Sequence, residues 1–423
     1  MTISWNTSIS LALLALIGAG CSPRLSSRFC TPADLALPSS YDQVKPQKQL
    51  KRDPCNNYQS YIPDTLHLDH TPIKYIRVNV HWVNSSDKLS NYDGEEAIKF
   101  TKGLMHAVNY DLAKNAKMLL PRRNTTPVIP TQYRMVLTGR PGEPADEGIY
   151  FHYDDEVCYY IHKGKNANLF DRRVIQRYGI QLDTVLNIFI MPHHPDSVVS
   201  STYLPGGVGV ALGSAVKMAG PYENPRLTYW DFRGVLNHEI GHIYSLSHTW
   251  AYNDGCDDTP LHPQDCFGPH DRPGCDTLVS NNFMDYAAVQ NAWTPCQIGK
   301  IHQRMATANS KTRAFLQPNW CQLHEDRHIY VKDSVTWTGH KDLEGHLTIE
   351  PGAVLTIRCR VALPADAKIT VKPGGKLVLD NCRLYNDCGD VWQGIEIQTL
   401  GKLSAKIEAV GQPVIEHALN TLQ

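Results

Sequence analysis

One segment, residues 230–250, limits what the rest of the chain can be. It reads WDFRGVLNHEIGHIYSLSHTW, with His238-Glu239-Ile240-Gly241-His242 at its centre. On a helix of 3.6 residues per turn, His238 and His242 stand one turn apart on the same face, where both imidazoles reach a single metal ion. Zinc is the natural occupant of such a pair. Glu239 projects from the neighbouring flank, which suits a base acting on water beside the metal better than a third ligand. His248 comes six residues after His242. That is too far for the same helical face, so it joins the pair only if the helix stops and the chain turns back. A five-residue HExxH in a chain with 19 histidines also arises by coincidence, and the third histidine at this distance weighs against that reading.

Together these residues match HExxHxxGxxH, the long zinc signature of the metzincin peptidases, at every position except Ser245, where the pattern has glycine. Downstream, NNFMDY at 281–286 resembles the metzincin Met-turn, in which a methionine forms a hydrophobic floor beneath the metal. Met284 taken alone reads as ordinary core packing. Four blocks resemble the pappalysin, or cytophagalysin-like, branch: HEIGHIYSLSHTW, then GCDDTP at 255–260, NNFMDY, and WTPCQIGKIHQRM at 293–305. The resemblance implies an α+β zincin (metzincin) catalytic domain, with Zn²⁺ held by His238, His242 and His248. It also implies Glu239 as the catalytic base and Tyr286 facing the reacting carbonyl. If the backbone at Ser245 takes a positive φ, the side chain costs about 1 kcal/mol. Cys296 falls where many relatives have glycine, so no disulfide pairing is carried over from them.

The chain has 423 residues, enough for two domains or more. Its 41 basic and 42 acidic residues are nearly balanced and form no long basic run, which argues against nucleic acid as a partner. Twelve cysteines imply an oxidising compartment. Cys256, Cys266, Cys275 and Cys296 surround the proposed site at spacings unlike a CxxC knuckle, and disulfides are expected there rather than a structural zinc. The apolar run from 9 to 20 has the length of a signal-peptide core, although no lysine or arginine precedes it. It ends in Gly18-Ala19-Gly20-Cys21, which reads either as a loose lipobox with lipid on Cys21 or as a plain secretory cleavage site.

Residues 1–21 are thus assigned to export, 22–70 to a linker or pro-segment rich in proline and serine, 71–325 to the catalytic domain and 330–423 to a further region. Cys30 or Cys55 could hold the enzyme latent by occupying the metal, and a disulfide involving either is the alternative. Within the catalytic domain the apolar pattern predicts a strand at 76–82 with His81 on its polar side, a helix over 94–119 with Met105 in the core, and strands at 132–137, around 157–161 and at 185–191. The glycine-rich stretch 206–213 reads as a sheet edge over the cleft or as a flexible loop. His193 and His194 read as loop residues. Asp254, Asp257 and Asp258 lie in a loop and suit either Ca²⁺ or surface turns. A last helix is expected over 294–310.

After residue 330 the composition changes. GHLTIEPGAVLTI at 345–357 recurs 22 residues later as AKITVKPGGKLVL at 367–379, and a looser copy begins near Trp392. Short β runs joined by Pro-Gly turns at a fixed period predict an all-β solenoid, most simply a parallel β-helix, with an antiparallel sandwich as the alternative. Its lack of an obvious cap suggests truncation or an outside partner for its last rung. The expectation for the whole is a secreted or envelope-attached zinc endopeptidase acting on protein or peptide. The competing expectation is a surface binding protein whose β segment does the work while the zinc domain is structural.

Overall fold

The computed structural model describes residues 23–35, 54–86, 91–161, 169–201, 203, 206–250, 254–262, 275, 279–286 and 289–420. Residues 1–21, read above as an export signal, and Cys266 lie outside them. The first strand, β1 (Leu25–Phe29), pairs with the C-terminal half of the molecule.

The region spanning residues 74–314 is built on a six-stranded sheet. Its strands are β2 (Lys74–Asn84), β3 (Tyr133–Leu137), β4 (Ile149–Tyr153), β5 (Leu186–Ile190), β6 (Val208–Ala211) and β7 (Ala215–Ala219). The order is β3-β2-β5-β7-β6, with β4 beside the second half of β2, and every pairing is parallel except that of β6 with β7. Helix α1 (Gly94–Lys114) packs Leu104 and Val108 against Val78 and Val80 on one face. On the other face, Val174 and Ile175 of α2 (Arg173–Tyr178) join Val83 and Phe189. A sheet covered on both faces gives near-continuous apolar strands, as β5 shows.

The same covering corrects the reading of His81. It alternates to the polar side yet is fully buried, and there it forms its own network. Nε2 lies 3.0 Å from the side-chain oxygens of Asn79 and Asn187, and Nδ1 lies 2.9 Å from Nε2 of His152. The strand expected around 157–161 is absent. Val157 and Tyr160 pack into the second core without joining a ladder, and the strand lies at β4 instead. Helix α1 stops at Lys114, five residues early, where Asn115 turns to a φ of 34°. Strand β7 had no sequence expectation. His193 and His194 sit before a short helix, α3 (Pro195–Val198), away from the other candidate ligands. Then follow α4 (Tyr229–Ile243), α5 (Pro295–Ala306) and α6 (Lys311–Ala314).

The C-terminal region is β-rich, and its strands fall into three ladders. The first holds β8 (Ile329–Val331), β11 (Leu347–Ile349), β14 (Lys368–Val371) and β17 (Gly394–Leu400). The second holds β9 (Ser334–Trp337), β12 (Val354–Ile357), β15 (Lys376–Asp380) and β19 (Lys406–Val410). The third holds β10 (Lys341–Asp342), β13 (Arg360–Ala362), β16 (Arg383–Tyr385) and β20 (Val414–Ile415). A short strand, β18 (Leu403–Ser404), folds back on β17. Pairing between successive repeats is parallel throughout. The 22-residue sequence offset reappears as register: Leu347 faces Ile369 and Leu355 faces Leu377, all fully buried. Strand β1 lies antiparallel on the outer edge of β17.

Two disulfides reach this region, Cys55–Cys359 and Cys321–Cys388. Cys55 is therefore not a free latency ligand. The Cys30 thiol is buried within the β region, where burial pushes its pKa up to about 11.

Candidate active site

Helix α4 carries the HExxH residues and is well begun and sharply ended. At its start the Asp231 carboxylate accepts hydrogen bonds from both the N–H and the hydroxyl of Thr228, at 2.7 and 3.0 Å. At its end Ser245 takes a φ of 68°, the left-handed conformation that the family pattern fills with glycine. The N–H of Leu246 then bonds to the Gly241 carbonyl at 2.9 Å, closing the helix and turning the chain back. That reversal brings His248 to the face shared by His238 and His242.

The three Nε2 atoms lie 3.0–3.1 Å from one another. For His238 and His242 the Nδ1 partners assign the ring proton to the far nitrogen, which leaves their Nε2 lone pairs facing inward. Nδ1 of His238 donates to the Phe283 carbonyl at 2.6 Å, and Nδ1 of His242 donates to Leu246 at 2.9 Å. Three converging lone pairs repel unless a cation lies among them. A tetrahedral zinc with nitrogen at 2.0–2.1 Å spaces its ligand atoms about 3.3 Å apart, so the donor set fits that ion. Burial holds all three imidazoles below their ordinary pKa, His238 down to about 3 and His248 to about 4, which keeps them neutral.

His248 differs from the other two. Its ring stacks on Trp250, with centroids 4.1 Å apart and planes 16° apart, and among the described residues nothing bonds its Nδ1. Trp250 in turn lies 4.2 Å from the ring of Tyr286, which is 42% exposed and stands 5.1 Å from His248.

Glu239 is buried beside this cluster. The N–H of Ala211 in β6 bonds to its carboxylate, its Oε2 has no partner, and burial raises its pKa to about 8. Gly209, also in β6, explains how the carboxylate fits. A Cβ there would meet Glu239 Cγ at 2.6 Å and Oε1 at 2.7 Å. Strand β6 is the sheet edge, so the glycine-rich stretch is the edge strand rather than a loop.

Beneath the histidines, Met284 is fully buried, and its sulfur occupies the place a Cβ on Gly241 would take. Its N–H bonds to Asn282 Oδ1, its carbonyl accepts from Thr249 N–H at 3.2 Å, and the Gln290 amide holds the Phe283 carbonyl at 3.1 Å. The His262 imidazole pairs with Asp285 where both are buried, fastening the loop at 254–262 to this turn. The disulfide Cys256–Cys296 fastens the same loop to α5, as the cysteine spacing had suggested. Two of the loop aspartates are engaged within the protein: Asp254 accepts from the Thr259 hydroxyl and the Cys256 N–H, and Asp258 accepts from the Cys296 N–H. Trp250 and the His262–Asp285 pair had no role in the sequence reading, and Gly209 entered it only within the stretch 206–213. Trp250 had a signal there, as an aromatic two residues past the last histidine.

Helix, reversal, buried carboxylate and edge strand together define a zinc metallopeptidase of the zincin kind. Residues 175–306 match the family model Peptidase M43, pregnancy-associated plasma protein-A. Over that segment, under half of the chain, it resembles the pappalysin family of metzincins, and the match marks it as a metalloprotease. Among solved structures it is similar to Tannerella forsythia mature mirolysin in complex with a cleaved peptide, at 19% identity over 57% of this chain and 94% of that one, TM-score 0.37. It is also similar to a mutant of Tannerella forsythia promirolysin, at 16% identity over 59% and 86%, TM-score 0.40. No curated protein sequence matches the chain.

Proposed function

We propose that the chain is an exported zinc endopeptidase in which His238, His242 and His248 hold Zn²⁺ and Glu239 is the general base. The observation that carries this is the meeting of three Nε2 atoms beside a buried carboxylate whose Oε2 has no partner among the described residues. When bound, zinc supplies Lewis acidity that polarises a carbonyl and brings the pKa of water near 7. Glu239 takes the proton from the attacking water at Oε2 and passes it to the departing amine. The Tyr286 hydroxyl, at the open side of the cluster, donates a hydrogen bond to the oxygen that gains negative charge. The free edge of β6 offers backbone groups to an extended peptide, which would lie along it as an added strand.

The three parallel ladders and their shared apolar interior support reading the C-terminal region as a parallel β-helix that braces the catalytic half. The disulfides Cys55–Cys359, Cys256–Cys296 and Cys321–Cys388 support an oxidising, extracytoplasmic location, free or with lipid on Cys21.

The test is purified protein assayed for zinc content and for casein or gelatin cleavage, with and without chelator, beside Glu239→Ala. The reading expects the variant to keep its zinc and lose turnover by at least 10³-fold. A Glu239→Ala protein that cleaves normally would end it.

A further inference from the structure

A second polar centre lies at the junction of the two halves, away from the histidines. Strand β10 of the β region presses Lys341 and Asp342 against Lys74 of β2 and against the end of α5. A cavity of about 30 Å³ opens between them, lined by Thr71, Lys74, His302, His340, Lys341 and Asp342 among others. That is room for one or two water-sized occupants.

Charged side chains crowd around it. Asp342 is buried, and its carboxylate is already taken by Arg313 at 2.9 Å, Arg360 at 2.9 Å and Lys74 at 3.4 Å. Arg313 also takes Asp387 at 2.7 Å, and Glu344 lies within range of both Arg327 and Lys74. Lys341 feels the charges of Asp64 and Asp342, yet among the described residues no carboxylate lies within 4 Å of its ammonium, whose one hydrogen bond runs to Thr71 Oγ1 at 3.1 Å. The imidazoles add no charge of their own. Burial holds His70 and His302 near 4, so both are neutral. Desolvation and the neighbouring Lys74 also push Lys341 down, to about 8. An ammonium with two unused donors, beside a second lysine and a cavity of this size, is the donor set of a small anion site.

We propose that the cavity between β10, β2 and α5 binds a monovalent anion of chloride size, held by Lys341 and Lys74, and that the anion ties the β region to the catalytic half. Phosphate or sulfate is too large for the space. The site neither touches nor depends on the metal cluster.

The test uses the full chain, exchanged into sodium gluconate and titrated with chloride at constant ionic strength. Thermal unfolding should show a saturable rise of about 3 °C at chloride concentrations a hundredfold above the dissociation constant. Bromide should substitute, and anomalous scattering from crystals grown in bromide should place the ion beside Lys341. Lys341→Met should abolish the rise. Equal response to chloride and gluconate, a retained response in Lys341→Met, or a cavity without bromide in the wild-type crystals would each overturn the proposal. The last arm decides the matter even if the variant fails to fold.

Discussion

Replacing Gly209 by alanine tests the geometry of the proposed base without touching it. The added methyl would lie 2.6 Å from Glu239 Cγ, 2.7 Å from Oε1 and 2.9 Å from Cδ. Non-bonded carbon contacts settle at 3.5–4.0 Å, so the carboxylate must move by about 1 Å. The backbone at Gly209 is not in the left-handed region, so alanine itself is tolerated and the whole displacement falls on Glu239. A misplacement of that size costs about 10²-fold in rate, or about 2.7 kcal/mol of activation energy. The loss should appear in kcat. The three histidines do not move, so zinc content and thermal midpoint should stay near wild type. Gly206→Ala is the control, because a Cβ there meets nothing within 4 Å. Steady-state cleavage of a fluorogenic peptide, atomic emission for zinc and a thermal melt read the three quantities. A Gly209→Ala enzyme with kcat within twofold of the Gly206→Ala control would refute the assignment of Glu239 or the placement of β6.

Three further outcomes are expected. Trp250→Ala should weaken zinc binding at least tenfold in chelator competition, with Trp250→Phe largely restoring it, because stacking replaces the Nδ1 bond that His248 lacks; unchanged affinity in the alanine variant would count against the stack. Ser245→Gly should raise stability by about 1 kcal/mol by relieving a φ of 68°, read as a higher urea midpoint, and a lower midpoint would show the serine to be unstrained. Burial raises the Glu223 pKa from 4.5 to about 7. The folded chain therefore holds more protons than the unfolded one between those values, and this contribution to stability declines as pH rises from about 4.5 through 7. Glu223→Gln should flatten that decline in urea midpoints compared at pH 5 and pH 8, and an unaltered slope would assign it to other groups.

How much could be read in advance depended on whether the signal was local. The histidine spacing specifies a helix and a reversal, and Ser245 marks the reversal because only a left-handed residue ends the helix in time. The apolar pattern located β2, β3, β5 and α1 for the same reason. It misplaced β4, because 149–153 and 157–161 carry similar apolar content and only pairing with the second half of β2 distinguishes them. It misjudged His81 because alternation reveals the two sides of a strand and not whether both are covered. Cys55–Cys359 and the charges around Asp342 join residues hundreds of positions apart. No local pattern records such a meeting. Trp250 was legible as a residue but not as a clamp, since its function depends on where the chain returns after Ser245.

The pairing of β1 with β17 joins residues 25–29 to residues 396–400. In synthesis from the amino end, β1 stays unpaired in this ladder until residue 400 has been made. A copy interrupted before residue 394 would leave β1 without its mate.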